Sequence, residues 1–150
     1  DKLIKEGYKH HIYILGIGEE RKKIEAYLCE NGLEESFTFL GFDENPYKYV
    51  KSSYLFVCSS LSEGYSLVIA ESLVLGIPVV STKCSGPIEI LRNGENGLLV
   101  ENSEEGLYKG LKEIINSDEL YMNYKNRAVK EGTKFGVDNF IKSVEEILDN

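Results

Sequence analysis

The chain has 150 residues, enough for one compact domain with a sizeable core, and its 42% hydrophobic and 28% charged residues exclude disordered, collagen-like and disulfide-scaffold classes. A formal net charge of -8 excludes nucleic acid or an anionic membrane surface as partner of the domain as a whole, because both recruit clustered Lys and Arg. A local phosphate site remains open to it, since such sites use backbone N–H groups and one or two basic side chains.

In chain order, short β-branched runs bounded by Gly, Pro, Asn or Ser alternate with longer amphipathic stretches. Residues 11–16 read as the first strand. Residues 19–31 follow as a helix, with Ile24, Tyr27 and Leu28 on one face and Asn31-Gly32 as its stop. A second strand over 36–40 completes a β-α-β unit. The Tyr-rich stretch Tyr47, Tyr49, Tyr54 reads as amphipathic packing, and strands are predicted over 54–59 and 77–81, joined by a helix over 66–75 that Gly76 closes. A fifth strand over 97–100 precedes a helix capped by Ser103, with Leu107, Leu111, Ile114 and Ile115 at helical spacing, and a last helix is expected from Val137. The implied fold is α/β: a three-layer, Rossmann-like domain with a mainly parallel sheet of about five strands flanked by helices. Residues 1–150 read as a single domain.

Two further exclusions follow from the same pass. No apolar run approaches the roughly 18 residues of a membrane-spanning helix, and Asp1-Lys2-Leu3-Ile4-Lys5-Glu6 lacks a signal-peptide layout, so direct membrane insertion is not expected. Cys29, Cys58 and Cys84 fit neither a disulfide framework nor a C-x-x-C metal site, which points to a cytoplasmic location.

In a parallel sheet of this kind ligands bind beyond the carboxyl ends of the strands. The loop over 60–66 is therefore a candidate site. Ser66 is a good helix-capping residue, Gly64 lets the backbone turn sharply and approach a ligand, and the N–H groups of Tyr65, Ser66, Leu67 and Val68 can face an anion at the helix N-terminus. Glu63 and Glu71 flank these amides. A carboxylate accepts two hydrogen bonds from vicinal hydroxyls, so Glu71 can hold a ribose and Glu63 sugar hydroxyls beyond a diphosphate. The alternative for both is a solvent-facing surface carboxylate.

The run Ser60-Leu61-Ser62-Glu63-Gly64-Tyr65-Ser66-Leu67-Val68-Ile69-Ala70-Glu71, followed by Leu75-Gly76-Ile77-Pro78-Val79-Val80, resembles the E-x(7)-E signature and trailing G-x-P-V-V of group 1 (family 4) glycosyltransferases of the GT-B fold. The likeness continues through Ile14-Leu15-Gly16-Ile17-Gly18, Phe39-Leu40-Gly41, Asn45-Pro46-Tyr47, Ser85-Gly86-Pro87-Ile88-Glu89 and Gly94-Glu95-Asn96-Gly97-Leu98-Leu99-Val100. The resemblance implies the C-terminal, donor-binding half of a retaining transferase that takes a hexose from a nucleoside-diphosphate sugar. In that reading Glu63 lies by the donor sugar and phosphates as the candidate catalytic residue, Gly64 to Leu67 offer N–H groups, and Glu71 binds the ribose. Nothing marks Glu63 as a nucleophile.

Gly16 and Gly18 then line the nucleotide pocket, or serve only to turn the chain into its helix; a dinucleotide fingerprint is broken because its third glycine falls on Arg21. Phe42 contacts the base, or belongs to the core. Ser85-Gly86-Pro87 places Pro at the first position of a short helix beside the donor sugar, with Glu89 structural; the alternative to packing for the tyrosines of the 47–54 stretch is that one borders the acceptor side. His10 and His11 read as surface or edge residues.

No D-x-D triplet is present, so neither a metal nor another cofactor is expected. The family's Arg-x-x-x-x-Lys-Gly-like loop is also lacking, and Asp1 to Gly7 reads as the tail of the helix after it. The expectation is a piece of a longer protein without its first β-α unit and acceptor-binding N-terminal half, inactive alone and binding nucleotide weakly. The full protein would act on a glycan or lipid-linked acceptor, peripheral at the inner face of the membrane. Rival readings are a non-catalytic nucleotide- or sugar-binding module, a nucleotide-sugar epimerase or phosphorylase, and an NAD-dependent dehydrogenase.

Overall fold

A computed structural model describes residues 1–133, and they fall into two compact units, Asp1–Pro46 and a second that begins at Tyr47. The helix expected from Val137 lies outside the described residues. All five predicted strands are present and all pair in parallel.

The first unit contains α1 (Lys2–Lys5), β1 (Ile12–Leu15), α2 (Arg21–Asn31), a 3-10 turn at Glu34–Ser36 and β2 (Phe37–Gly41). β1 and β2 form a two-stranded ladder in which Ile12 faces Phe37 and Ile14 faces Phe39, with an irregularity that sets Leu15 opposite Gly41. α2 ends as its Asn31-Gly32 pair predicts. Gly32 takes the left-handed conformation (φ 65°), its N–H donates to Cys29 O, and Leu33 N donates to Leu28 O at 2.9 Å. That double closure brings Leu28 and Leu33 together, each 3% exposed, as the buried pair of this unit.

The second unit runs α3 (Tyr47–Ser52), β3 (Phe56–Cys58), α4 (Leu67–Val74), β4 (Val79–Thr82), α5 (Ser85–Ile90), a 3-10 turn at Arg92–Gly94, β5 (Leu98–Val100), α6 (Glu104–Ile115) and α7 (Asp118–Gly132). β4 is the central strand of a β3-β4-β5 ladder and is buried throughout. Because successive side chains of a strand point to opposite faces, Val79 and Val80 serve two cores. Val79 packs with Ile69, Leu73, Ile90, Leu91 and Ala128 under α4, α5 and α7; Val80 packs with Val100 and Ile114 against α6. Helices thus cover both faces. Each of Ile69, Leu73, Leu91 and Ile114 is fully buried, and a fully buried aliphatic side chain contributes about 1.5–3 kcal/mol.

Helix starts in this unit follow local chemistry. Ser103 caps α6 as predicted, accepting from Gly106 N at 3.0 Å, with Glu104 and Glu105 in the favourable first turn. Ser117 caps α7 in the same way through Leu120 N at 3.1 Å. Pro87 departs from its predicted place: α5 begins at Ser85, so Pro87 is its third residue, still inside the first turn where a missing N–H costs nothing.

Candidate functional site

The loop after β3 is held from three sides. Thr82 Oγ1, at the end of β4, donates to Ser60 O at 2.6 Å; Asn102 Nδ2, just after β5, donates to Leu61 O at 2.8 Å; Gly86 N, in α5, donates to Glu63 O at 3.1 Å. The carboxyl ends of the two neighbouring strands therefore fix the segment that leads into α4. α5 approaches so closely that a Cβ on Gly86 would collide with the carbonyl oxygen of Gly64. Gly64 itself has no positive φ, and a Cβ there would meet nothing within 4 Å. The turn's need for glycine accordingly falls on Gly86, not Gly64, because Gly86 is where two backbones meet.

Glu63 is half-buried, and its Oε2 accepts from Cys58 Sγ at 3.5 Å. The same thiol lies 3.5 Å from Ser60 Oγ. Cys84 sits close by, with Sγ 3.8 Å from Ser60 O, and burial pushes its thiol up, assisted by the neighbouring Cys58 and Glu63. Two cysteines that fit no disulfide or metal pattern therefore bracket Glu63, and no sequence signal beyond their strand-end positions could have found them. Glu63 is thus a half-buried carboxylate with a thiol partner rather than a fully solvent-facing one.

Ser66 occupies the N-cap position of α4 with extended backbone, yet its side chain makes no cap hydrogen bond. Its Oγ is completely buried and without a partner, so the predicted cap is absent: the hydroxyl is turned into the protein rather than over the helix end. Ser66 O accepts from Ile69 N and Ala70 N, while the amides of Leu67 and Val68 have no acceptor among the described residues. Those free donors carry the positive end of the helix dipole, equivalent to about half a charge. Around them Tyr65, Leu67 and Val68 are exposed by 55%, 67% and 47%.

Glu71 stands one turn further along the face that carries Leu67 and Val68, opposite the buried Ile69, Ala70 and Leu73. Tyr47 Oη donates to its Oε1 at 3.1 Å, and this hydrogen bond pushes the Tyr47 phenol above its ordinary value. An acidic residue in the last turn of a helix opposes the dipole, by about 0.3–1 kcal/mol at an exposed site. The helix alone gives no reason for a carboxylate there.

In the first unit Gly16 (φ 112°) and Gly41 (φ 70°) end β1 and β2 in conformations that favour glycine, and Gly16 N donates to Gly41 O at 2.7 Å. Phe42 follows and is 74% exposed, which removes its core alternative. Gly18 has neither a positive φ nor a crowded Cβ position. His10 and His11 are exposed as expected, with His11 Nε2 2.8 Å from Thr38 Oγ1. Glu89 is exposed and its side chain makes no hydrogen bond or ion pair among the described residues, against the structural part expected of it. Among the described residues no three His, Cys, Asp or Glu side chains gather as a metal site, and no helix is long and apolar enough to cross a membrane.

A parallel α/β ladder with helices on both faces and a helix N-terminus open beyond its strand ends has the build of a Rossmann-like domain. Residues 1–131 match the family described as glycosyl transferases group 1, and the chain belongs to that family. It is 40% identical over 126 residues to the N-acetylgalactosamine-N,N'-diacetylbacillosaminyl-diphospho-undecaprenol 4-alpha-N-acetylgalactosaminyltransferase of Campylobacter jejuni, covering 83% of this chain and 34% of that protein. With the lipopolysaccharide core biosynthesis glycosyltransferase LpsE of Rhizobium meliloti it shares 32% identity over 140 residues, covering 93% of this chain and 39% of the relative. The chain thus spans little more than a third of these relatives. In fold it resembles HepE of Anabaena, solved in complex with UDP (TM-score 0.80, 23% identity, 93% of this chain and 41% of that one). It also resembles sucrose-phosphate synthase of Thermosynechococcus elongatus (TM-score 0.82, 19% identity, 99% of this chain and 40% of that one). These are GT-B glycosyltransferases, and their Rossmann-like α/β architecture is the fold expected from the sequence.

Proposed function

We propose that this chain is the donor-binding part of a longer, retaining hexosyltransferase that takes its sugar from a nucleoside-diphosphate sugar. One observation carries the reading: the unpaired amides of Leu67 and Val68 open at the N-terminus of α4, with Glu63 before them and Glu71 one turn beyond. The amides would hold the diphosphate, Glu71 the ribose hydroxyls, and Glu63 the hydroxyls of the transferred sugar. The open space over Gly64 lets a ligand reach the backbone there. Gly16, Gly18 and Phe42 are assigned to the nucleotide on the weaker ground that they follow strand ends. HepE in complex with UDP supports a nucleoside diphosphate, and the diphospho-undecaprenol named for the Campylobacter relative supports a lipid-linked or glycan acceptor. A basic clamp and an acceptor site would come from parts of the protein outside these 150 residues, so this segment alone would not transfer sugar and would bind nucleotide only at about millimolar strength.

The test is calorimetric titration of the full-length protein with UDP, GDP, ADP and NAD, repeated with Glu71→Gln. One nucleoside diphosphate should bind better than NAD. Loss of a hydrogen bond to a charged group, about 1.5–3 kcal/mol, predicts a tenfold or greater weakening in the variant. Preference for NAD, or an unchanged affinity of Glu71→Gln, contradicts the assignment. Retention is read separately, from the anomeric coupling of the product by NMR.

A further inference from the structure

Tyr47 closes the Asn45-Pro46-Tyr47 stretch of the family likeness, but the donor reading gives its side chain no role, and burial does not account for it. Its side chain is 45% exposed, at the first position of α3, a helix that packs against α4. What its hydroxyl does is donate to Glu71 Oε1 at 3.1 Å across 24 positions of sequence. Glu71 Oε2 has no partner among the described residues. A carboxylate offers about four lone-pair positions, so one phenol leaves enough for two further hydroxyls.

We propose that Tyr47 is a positioning residue for Glu71: its hydroxyl fixes the carboxylate in one rotamer, with Oε2 free to accept the hydroxyls of a nucleoside ribose. The proposal rests on the donor-binding reading given above. Its physical basis is preorganisation. A glutamate on a helix surface samples many rotamers, and a ligand that must choose one loses affinity in doing so. Tyrosine is well suited to hold it, because only two side-chain angles need fixing and its backbone is carried by α3, which packs against α4. The hydrogen bond is charge-assisted, from a neutral phenol to an ionised carboxylate. The raised Tyr47 phenol is what such a bond produces.

The experiment compares the full-length protein with Tyr47→Phe, Glu71→Gln and the double variant. Each is titrated with whichever of UDP, GDP and ADP binds most tightly and with its 2'-deoxy counterpart. The readout is the ratio of the two affinities, which a general loss of stability would not move selectively. Tyr47→Phe keeps the ring and removes only the hydroxyl; we expect it to lower ribose-over-deoxyribose preference about threefold to tenfold. Glu71→Gln should lower it at least as far, and adding Tyr47→Phe to that variant should change it no more. If Glu71→Gln abolishes the preference while Tyr47→Phe leaves it intact, the positioning role is overturned and the ribose assignment stands. If Tyr47→Phe weakens both nucleotides equally, Tyr47 is structural. If Glu71→Gln leaves the preference unchanged, the ribose assignment itself fails and the inference with it.

Discussion

Gly86 has no side chain because the carbonyl oxygen of Gly64 stands where one would be. Gly86→Ala must push the Glu63-Gly64 turn away from α5 and weaken the bond from Gly86 N to Glu63 O. Overpacking of this kind costs about 1–3 kcal/mol, so the variant should melt several degrees lower and bind donor more weakly. Gly64→Ala meets nothing within 4 Å and should leave stability within about 0.5 kcal/mol, while hindering a ligand that lies on the turn. Thermal melts and donor titration of the pair separate the two roles. Tyr47 makes a pH prediction of known sign. Its phenol is held above the ordinary value of 10.0 by the hydrogen bond to Glu71. The folded state thus keeps this proton longer than the unfolded one; the contribution is whole below pH 10 and fades as pH rises through the raised value. Burial holds Tyr54 and Tyr124 up as well, so a spectroscopic titration should find several high-titrating tyrosines, of which the Tyr47 component alone moves down toward the ordinary range in Glu71→Gln. Glu63 and Glu71 were legible in the sequence because their spacing brackets a helix start. Tyr47, Cys58 and Gly86 were not, since each acts through a contact made only when separate elements pack.

At the scale of elements, α4 joins core to site. Its buried face carries Ile69, Ala70 and Leu73, and its other face carries the exposed Leu67 and Val68 and the half-buried Glu71. Leu73→Ala should cost about 2–5 kcal/mol in urea unfolding of the full-length protein, in line with a fully buried leucine; a loss under 1 kcal/mol would show that α4 is not anchored as described. The strands could be read within a residue or two because β-branched runs between Gly, Pro and Asn have few other solutions. α3 and α7 escaped that reading. α3 is only six residues long, too short to show a period, and its tyrosines resemble loop packing. α7 did carry a start signal, Ser117 followed by Asp118 and Glu119, but it buries only Ala128, Glu131 and Gly132, a weak stripe for a hydrophobic pattern to reveal. Ser66 is the converse case. Its identity predicts a cap, yet its hydroxyl is buried and the helix end is left open.

For the whole molecule, the proposed grip has an acidic chain meet phosphate locally through backbone amides rather than through a basic surface. If charge on the leaving diphosphate is met by helix amides and basic side chains, transfer should not depend on a divalent ion. Full-length protein assayed in EDTA should then keep its rate, and restoration of a lost rate by magnesium or manganese would overturn this point. The central claim is that the start of α4 grips the nucleotide. Hydrogen exchange of the full-length protein tests it most directly, because the amides of Leu67 and Val68 lack acceptors and should exchange fast in the free protein. Saturation with the preferred nucleoside diphosphate should slow exchange across Gly64 to Val68. Bound nucleotide with unchanged exchange in this segment and protection elsewhere would contradict the account.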